Sequence, residues 1–327
     1  MWNIRGLNSI TKQKDIKWFL HQQEVDLFGL LETRVKPGSL NKVANNLCFG
    51  WSFITNLSSH SGGRIWVLWK ANKLHLDVLE MDAQFIHLKV TEMLTDKVFY
   101  VTYVYGFNKI EQRVPLWNAL NRLNMTAPWI VLGDFNCVMY SNERIRGIFR
   151  DSEMAPFYHT AQNCDLQDIK AIGAFYTWTN KQPSSTRVFS RIDRVLINGA
   201  WLALNPDYYA HYLPEGDFDH CPCIIGCGQV RILKKKPFKF FNMWCHVKEF
   251  KEIVQQRWGD VIDGTPMFQL VKHLKDLKPA LKKLNKCLFS DVETNADFAY
   301  HLLLDCQKKL HKDPTNCILM DIEAQTR

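Results

Sequence analysis

No apolar run in the 327-residue sequence approaches the ~18 residues that a membrane-spanning helix needs, so no membrane partner is expected. The opening residues lack the basic-then-apolar pattern of a secretory signal. The chain has no internal repeat and no low-complexity segment. Its ten cysteines are scattered, which suits a reducing, intracellular compartment better than a disulfide framework. Zinc-site spacing is also missing. Cys221, Cys223 and Cys227, near His211 and His220, read as small apolar side chains of a strand, and Cys245-His246 has no second pair.

What is present is the composition of a folded protein, 46% hydrophobic and 23% charged. The length suffices for one large α/β domain and a smaller appendage. The net charge of +8 is unevenly spread. Residues 1–230 hold 23 Lys and Arg against 21 Asp and Glu, whereas residues 231–327 hold 18 against 12. A basic tail favours a polyanionic partner, DNA or RNA, because Lys and Arg displace counterions from phosphates. Charge alone fits a solvated helical surface at least as well.

Short apolar runs alternate with helical patterns up to about Cys227. The runs from Asp26 to Glu32, Lys97 to Gly106, Pro128 to Asn136 and Phe189 to Asn198 are rich in β-branched and aromatic residues and predict buried strands. Segments 11–22, 109–124 and 152–163 predict helices, with Ile16, Phe19 and Leu20 on the apolar face of the first. Strands interleaved with helices indicate a layered α/β domain over residues 1–230. Residues 231–239 are basic, contain Pro237 and read as a linker. Residues 240–327 read as a helical appendage. Leu270, Leu274, Leu277, Leu281, Leu284 and Leu288 follow helical spacing there, with Pro279 expected to kink or break the helix.

Each polar motif is weak alone. Asn and Asp are ordinary turn residues, a strand-end Glu is often merely solvated, and Asp193 could be satisfied by Arg191 or Arg194. Taken together they suit phosphoester hydrolysis. That reaction needs a cation on the phosphate, an activated water and a donor for the charge that builds on oxygen. Carboxylates and amides at strand ends can meet at one rim of a sheet. Mg²⁺, or Mn²⁺ in its place, suits an oxygen-rich site. A histidine backed by a carboxylate is a ready proton donor.

The motifs WNIRGLN, LLET, VYGFN, VLGDFN, SRIDR and DHCP occur in the order and approximate spacing of the endonuclease/exonuclease/phosphatase family, which the chain resembles along essentially its whole length. SGGRIWVLW from Ser61, Asn142-Glu143-Arg144, GAFYTWTN from Gly173 and the stretch KPFKFFNMW resemble the plant LINE branch of that family. The resemblance implies a four-layer α/β sandwich, two packed mixed β-sheets flanked by helices, with the C-terminal helical appendage. It implies a divalent-metal-dependent DNA-nicking enzyme, nuclear if it is a functional retroelement nuclease. By the same resemblance Glu32 is a metal ligand and Asn3 the active-site asparagine, while Tyr105 contacts the phosphate. Asp134 is the general base and Asn136 its companion; Asp193 orients His220, and Asp219 helps place metal or water. A hairpin after YTWTN, with Lys181 and Arg187 holding phosphates beside Trp178, would probe the DNA groove.

Three departures matter. Phe218 stands where the family often has serine before the Asp-His pair, and Arg5 stands where abasic-site endonucleases have a metal-binding Asp. Only Met1 precedes Trp2, where the family usually has several strand residues. Asn3 is therefore expected to fray, and the chain to be marginally stable and weakly active. There is no Tyr-x-Asp-Asp reverse-transcriptase motif. The competing readings are an abasic-site nuclease or a phosphatase acting on a lipid or sugar phosphate, and an inactive retroelement remnant that at most binds nucleic acid.

Overall fold

The computed structural model describes residues 1–47, 50–60, 63–183, 185–227, 240, 242–259, 262–288 and 290–327. The chain divides into two compact units, residues 1–230 together with 303–327, and residues 231–302. The basic linker 231–239 and residues Ser61 and Gly62 of the SGGRIWVLW motif lie outside the described residues.

The first unit is organised around the strand Trp129–Asp134. Ile130 and Leu132 face one side and Trp129 and Val131 the other, and all four are buried. Such a strand must be covered on both faces. It runs parallel to Val98–Tyr105 and antiparallel to Asp193–Ile197. Phe85–Glu92, Leu74–Met81 and Gln167–Asp168 complete a six-stranded mixed sheet. A second sheet has the order Trp2–Asn3, Leu27–Leu31, Ile65–Trp69, Ser52–Thr55, with the first pair parallel. A small sheet of Ala171–Gly173, Tyr208–Tyr212 and Cys223–Cys227 adds Ala210, Tyr212 and Cys223 to the apolar layer between the two larger sheets.

Helices close the outer faces. Ile10–Gln23 and Leu40–Leu47 bury Ile16, Phe19, Leu20, Val43 and Leu47 against Phe28, Leu30, Trp66 and Leu68. Ile110–Leu123 and Asp151–Asn163 bury Leu116, Trp117, Leu120 and Phe157 against the outer face of the six-stranded sheet. Each large apolar side chain so buried contributes about 1.5–3 kcal/mol. The layers run helix, sheet, sheet, helix, as the resemblance implies.

The structure departs from the sequence reading at four places. The run from Phe189 to Asn198 forms two strands rather than one. Phe189–Ser190 pairs with Trp178–Thr179 and Arg144–Ile145, and Asp193–Ile197 belongs to the large sheet. At the step between them the Arg191 N–H donates to the Glu143 carbonyl, and the Ile192 carbonyl accepts from Phe135 N–H. Second, Trp2–Asn3 forms a strand two residues long, yet Asn3 is fully buried and held on both sides. The Ile4 N–H donates to the Leu31 carbonyl at 3.2 Å, and the Met1 carbonyl accepts from Cys223 N–H at 2.9 Å.

Third, Pro279 does not break its helix. Pro266–Leu288 is continuous, since Leu277, Leu281 and Leu284 on either side of the proline are buried with Trp244 and packed by Val247, Phe250, Ile253 and Val254. That shared apolar face outweighs the one backbone bond that proline removes. Fourth, the expected appendage is not one body. Residues 303–327 belong to the first unit, where Leu310 and Met320 pack on Phe189. The residues from Asn242 to Leu302 that are described, including the helix Lys248–Trp258, belong to the second.

Gly133, next to Asp134, has φ +156°, and a Cβ there would land on the Val104 carbonyl of the neighbouring strand. Gly133→Ala should lower stability by at least ~1–3 kcal/mol, the usual cost of forcing atoms into a packed core, read from the urea midpoint. Gly226→Ala, whose Cβ meets nothing within 4 Å, is the control and should leave the midpoint nearly unchanged. Equal midpoints for the two variants would contradict the packing described.

Candidate active site

Strand register gathers the polar residues at one rim. Asp134 ends its strand opposite Asp193, the first residue of the antiparallel neighbour, and beside Tyr105, the last residue of the parallel one. On the other sheet Asn3 pairs with Leu31, so Glu32 follows immediately at the same edge. Asp219 and His220 lie on the loop before Cys223–Cys227. This loop is fixed by the Thr179 N–H donating to the Asp219 carbonyl at 3.0 Å and the Cys221 N–H donating to the Thr177 carbonyl at 2.8 Å.

Asn3 joins the two sheets. Its Nδ2 donates to Asp134 Oδ2 at 2.8 Å and to Glu32 Oε2 at 3.3 Å, while its Oδ1 accepts the Arg5 N–H at 3.0 Å. The other Asp134 oxygen accepts the Asn136 N–H at 2.8 Å. Asn136 adopts a left-handed φ of +50° and its side chain donates to the Gly106 carbonyl at 2.7 Å. His220 Nδ1 lies 2.9 Å from Asp193 Oδ2, leaving Nε2 facing Asp134 Oδ2 at 3.9 Å. The Asp193 N–H is held by Thr177 Oγ1, and the His220 carbonyl accepts from the Trp2 indole at 2.9 Å. Asp193 thus serves His220, not a neighbouring arginine. Arg194 points to the opposite face and pairs with Asp168 and Glu143, and Arg191 also reaches Asp168.

The electrostatics follow from this geometry. Burial alone would discharge His220, but the Asp193 carboxylate overcomes it and raises the imidazole pKa to about 9. Burial and the negative Asp193 push the Asp134 carboxyl up from the ordinary carboxylate range. Asp219 resists the upward push of burial and is held low by His220 and by its ion pair with Arg5, at 2.7 Å. Burial, reinforced by Glu32, raises the Tyr105 phenol.

Several contributors carry little sequence signal. Arg34 pairs with Glu32, and Arg64 lies 3.9 Å from the same carboxylate and 5.5 Å from the Tyr105 ring centre. Arg34 stands two residues from Glu32 and could have been suspected, and Arg64 lies within the SGGRIWVLW motif without any local sign that it reaches Glu32. Phe218 replaces a polar neighbour with packing: its ring lies 4.2 Å from Trp2 and under the Lys12 ammonium. Trp178 is half-buried beside His220. Lys181 and Arg187 are turned inward, unlike residues awaiting a phosphate. Lys181 Nζ donates to the Gly216 carbonyl at 2.6 Å, and Arg187 pairs with Glu323 at 3.0 Å with 2% of its side chain exposed.

Residues 2–217 match the model of the Endonuclease/Exonuclease/phosphatase family, and the chain belongs to that family, whose members hydrolyse phosphodiester or phosphate bonds. The fold is similar to that of the endonuclease domain of TRAS1, a telomere-specific non-LTR retrotransposon, with TM-score 0.52, 12% identity, and 69% of this chain and 97% of that one covered. A functionally unknown conserved protein from Enterococcus faecalis (TM-score 0.47, 12% identity, 69% and 98% covered) and a mannosyl-6-phosphatase from Bacteroides thetaiotaomicron (TM-score 0.47, 14% identity, 69% and 97% covered) are also similar. No curated protein matches the sequence significantly. No described helix is long and apolar enough to cross a membrane.

The donor set fits a hard divalent cation. Glu32, Asp134 and Asp219 supply carboxylate oxygens, the Asn3 amide turns its nitrogen towards Asp134 and Glu32, and Asp134, Asp193 and His220 bring ligand atoms within 4.8 Å of one another.

Asp193→Asn should bring His220 down from about 9 towards the ordinary imidazole range, because burial remains while the opposing carboxylate is gone. NMR titration of the ring reads this directly. The sign for stability is fixed. A pKa raised above its unfolded value stabilises fully below ~6.5, and that contribution disappears as pH rises through about 9. An unchanged titration in Asp193→Asn would contradict the pairing.

Proposed function

We propose that the chain is a divalent-metal-dependent phosphodiesterase that nicks DNA, the endonuclease of a plant-type LINE retroelement. One observation carries the reading: a continuous polar line, Asp193 to His220 to Asp134 to Asn3 to Glu32, crosses the rim of two packed sheets. The likeness to a retrotransposon endonuclease domain supports the fold on which it rests.

In this reading Glu32 and Asp219 hold Mg²⁺ or Mn²⁺. When bound, the ion polarises the phosphate and offsets the charge that develops on its oxygens. Asp134, with its carboxyl raised towards neutrality, takes the proton of the attacking water, aided by Asn136. His220, kept protonated by Asp193, donates to a phosphoryl oxygen, with Asn3 and Tyr105 as further phosphate contacts. Trp178 remains a DNA contact. Lys181 and Arg187 are withdrawn from that role because both are committed to protein partners. The excess positive charge beyond residue 230 lies in residues 231–239, with five Lys and Arg and no acid, and this stretch rather than the helices after it is the further contact for RNA or DNA; a functional retroelement nuclease works in the nucleus.

A second reading, an inactive remnant, draws on one observation: Glu32 and Asp219 are already paired with Arg34 and Arg5. Plasmid nicking separates the two. Mg²⁺ or Mn²⁺ should support nicking and chelator abolish it, and Asp134→Asn and His220→Ala should each lower the rate ~100–10,000-fold. Faster incision of an abasic duplex than of intact plasmid, or hydrolysis of phosphomonoesters alone, would move the assignment within the family. No nicking with either metal leaves the remnant reading; unchanged rates in both variants overturn the site.

A further inference from the structure

A second cluster of side chains that could hold a metal ion lies one residue along from His220. Glu215 and Cys221 sit on the loop that carries Asp219 and His220, and His311 comes from the last turn of the helix Ser290–Lys312. The three ligand atoms face one another. His311 Nε2 is 2.9 Å from Glu215 Oε2 and 3.8 Å from Cys221 Sγ, and Cys221 Sγ is 3.7 Å from Glu215 Oε2. The sequence could not show the cluster, because 90 residues separate the cysteine from the histidine.

We infer that Glu215, Cys221 and His311 form a zinc site that fastens the C-terminal helices to the catalytic loop. The chemistry is that of zinc: one thiolate, one imidazole and one carboxylate, three protein ligands with a fourth position left for water. The spacing fits as well. Tetrahedral zinc with Zn–S of about 2.3 Å and Zn–N or Zn–O of about 2.0–2.2 Å puts its ligand atoms roughly 3.4–3.6 Å apart. The three sides of this triangle bracket that range. A thiolate and a carboxylate balance the charge of the ion, so a neutral site replaces a buried carboxylate facing an imidazole.

The scaffold is already in place. Gln307, one helical turn before His311, accepts the Gly216 N–H at 3.0 Å and donates to the Gly216 carbonyl at 2.9 Å, which fixes the loop at the residue after Glu215. Cys221 is fixed by its backbone bond to Thr177. His311 Nδ1 has no partner among the described residues, and the ring meets Glu215 and Cys221 through Nε2. The simpler alternative is a hydrogen-bonded triad with no metal.

The test uses the full chain, reduced, saturated with zinc and desalted, with metal counted by mass spectrometry. About one zinc per chain is expected in the wild type, little in Cys221→Ser and His311→Asn, and about one in Asp134→Asn, which alters the other cluster. Cobalt in place of zinc should give a thiolate-to-metal charge-transfer band in the wild type that Cys221→Ser lacks. This reading stands even if His311→Asn fails to fold. The proposal is overturned by a wild type that retains no zinc and shows no cobalt–thiolate band. It is equally overturned if Cys221→Ser keeps both, or if Asp134→Asn is the variant that loses the metal.

Discussion

The Asn3 side chain donates to a carboxylate from each of the two large sheets, Asp134 on one and Glu32 on the other. The rest of the site depends on that bridge. Each sheet alone presents acids along its own edge, and like charges at such a distance repel. A neutral amide between them lets both remain buried, and its oxygen, held by Arg5 N–H, keeps the amide from turning over. Asp134 is fixed again from behind by Asn136, and His220 is fixed by Asp193, so the polar groups of the rim stand on a scaffold that the fold alone sets.

The acids at the sheet edges were legible in the sequence because strand ends announce themselves, whereas the grouping of Asn3, Asn136, Asp193 and His220 into one site came from the family resemblance. An apolar run that stops on Glu32 or Asp134 puts the carboxylate at a sheet edge, and two such runs in parallel or antiparallel register put the edges together. The layered architecture followed from the same periodicity. What stayed hidden was tertiary. Nothing local says that Arg194 turns away from Asp193 to serve Asp168 and Glu143, that Arg34 and Arg64 gather around Glu32, or that Phe218 packs on Trp2. Pro279 misled because its residue type outweighs its context in a sequence reading, whereas the packed leucines around it decide the outcome.

The C-terminal helices changed the picture most. Helical spacing assigns residues 240–327 to one appendage, yet Leu303–Arg327 belongs with residues 1–230. Glu323 and Gln307 are buried there beside Arg187, Lys181 and Gly216. Two cations that resemble a phosphate clamp in sequence are neutralised by an acid more than 130 residues away. A buried guanidinium stripped of its partner would be strongly destabilising, so these residues hold the hairpin to the core. The same helices bring His311 to the loop of His220, tying chain segments distant in sequence to the chemistry.

The central claim is that Asn3 and Asp134 act as one unit across the two sheets. A double-mutant cycle with Asn3→Ala and Asp134→Asn, read as the metal-dependent nicking rate, tests it most directly. Strong non-additivity is expected, the double variant being little slower than the slower single one. Multiplicative losses, with each substitution costing the same factor in the presence or absence of the other, would contradict it.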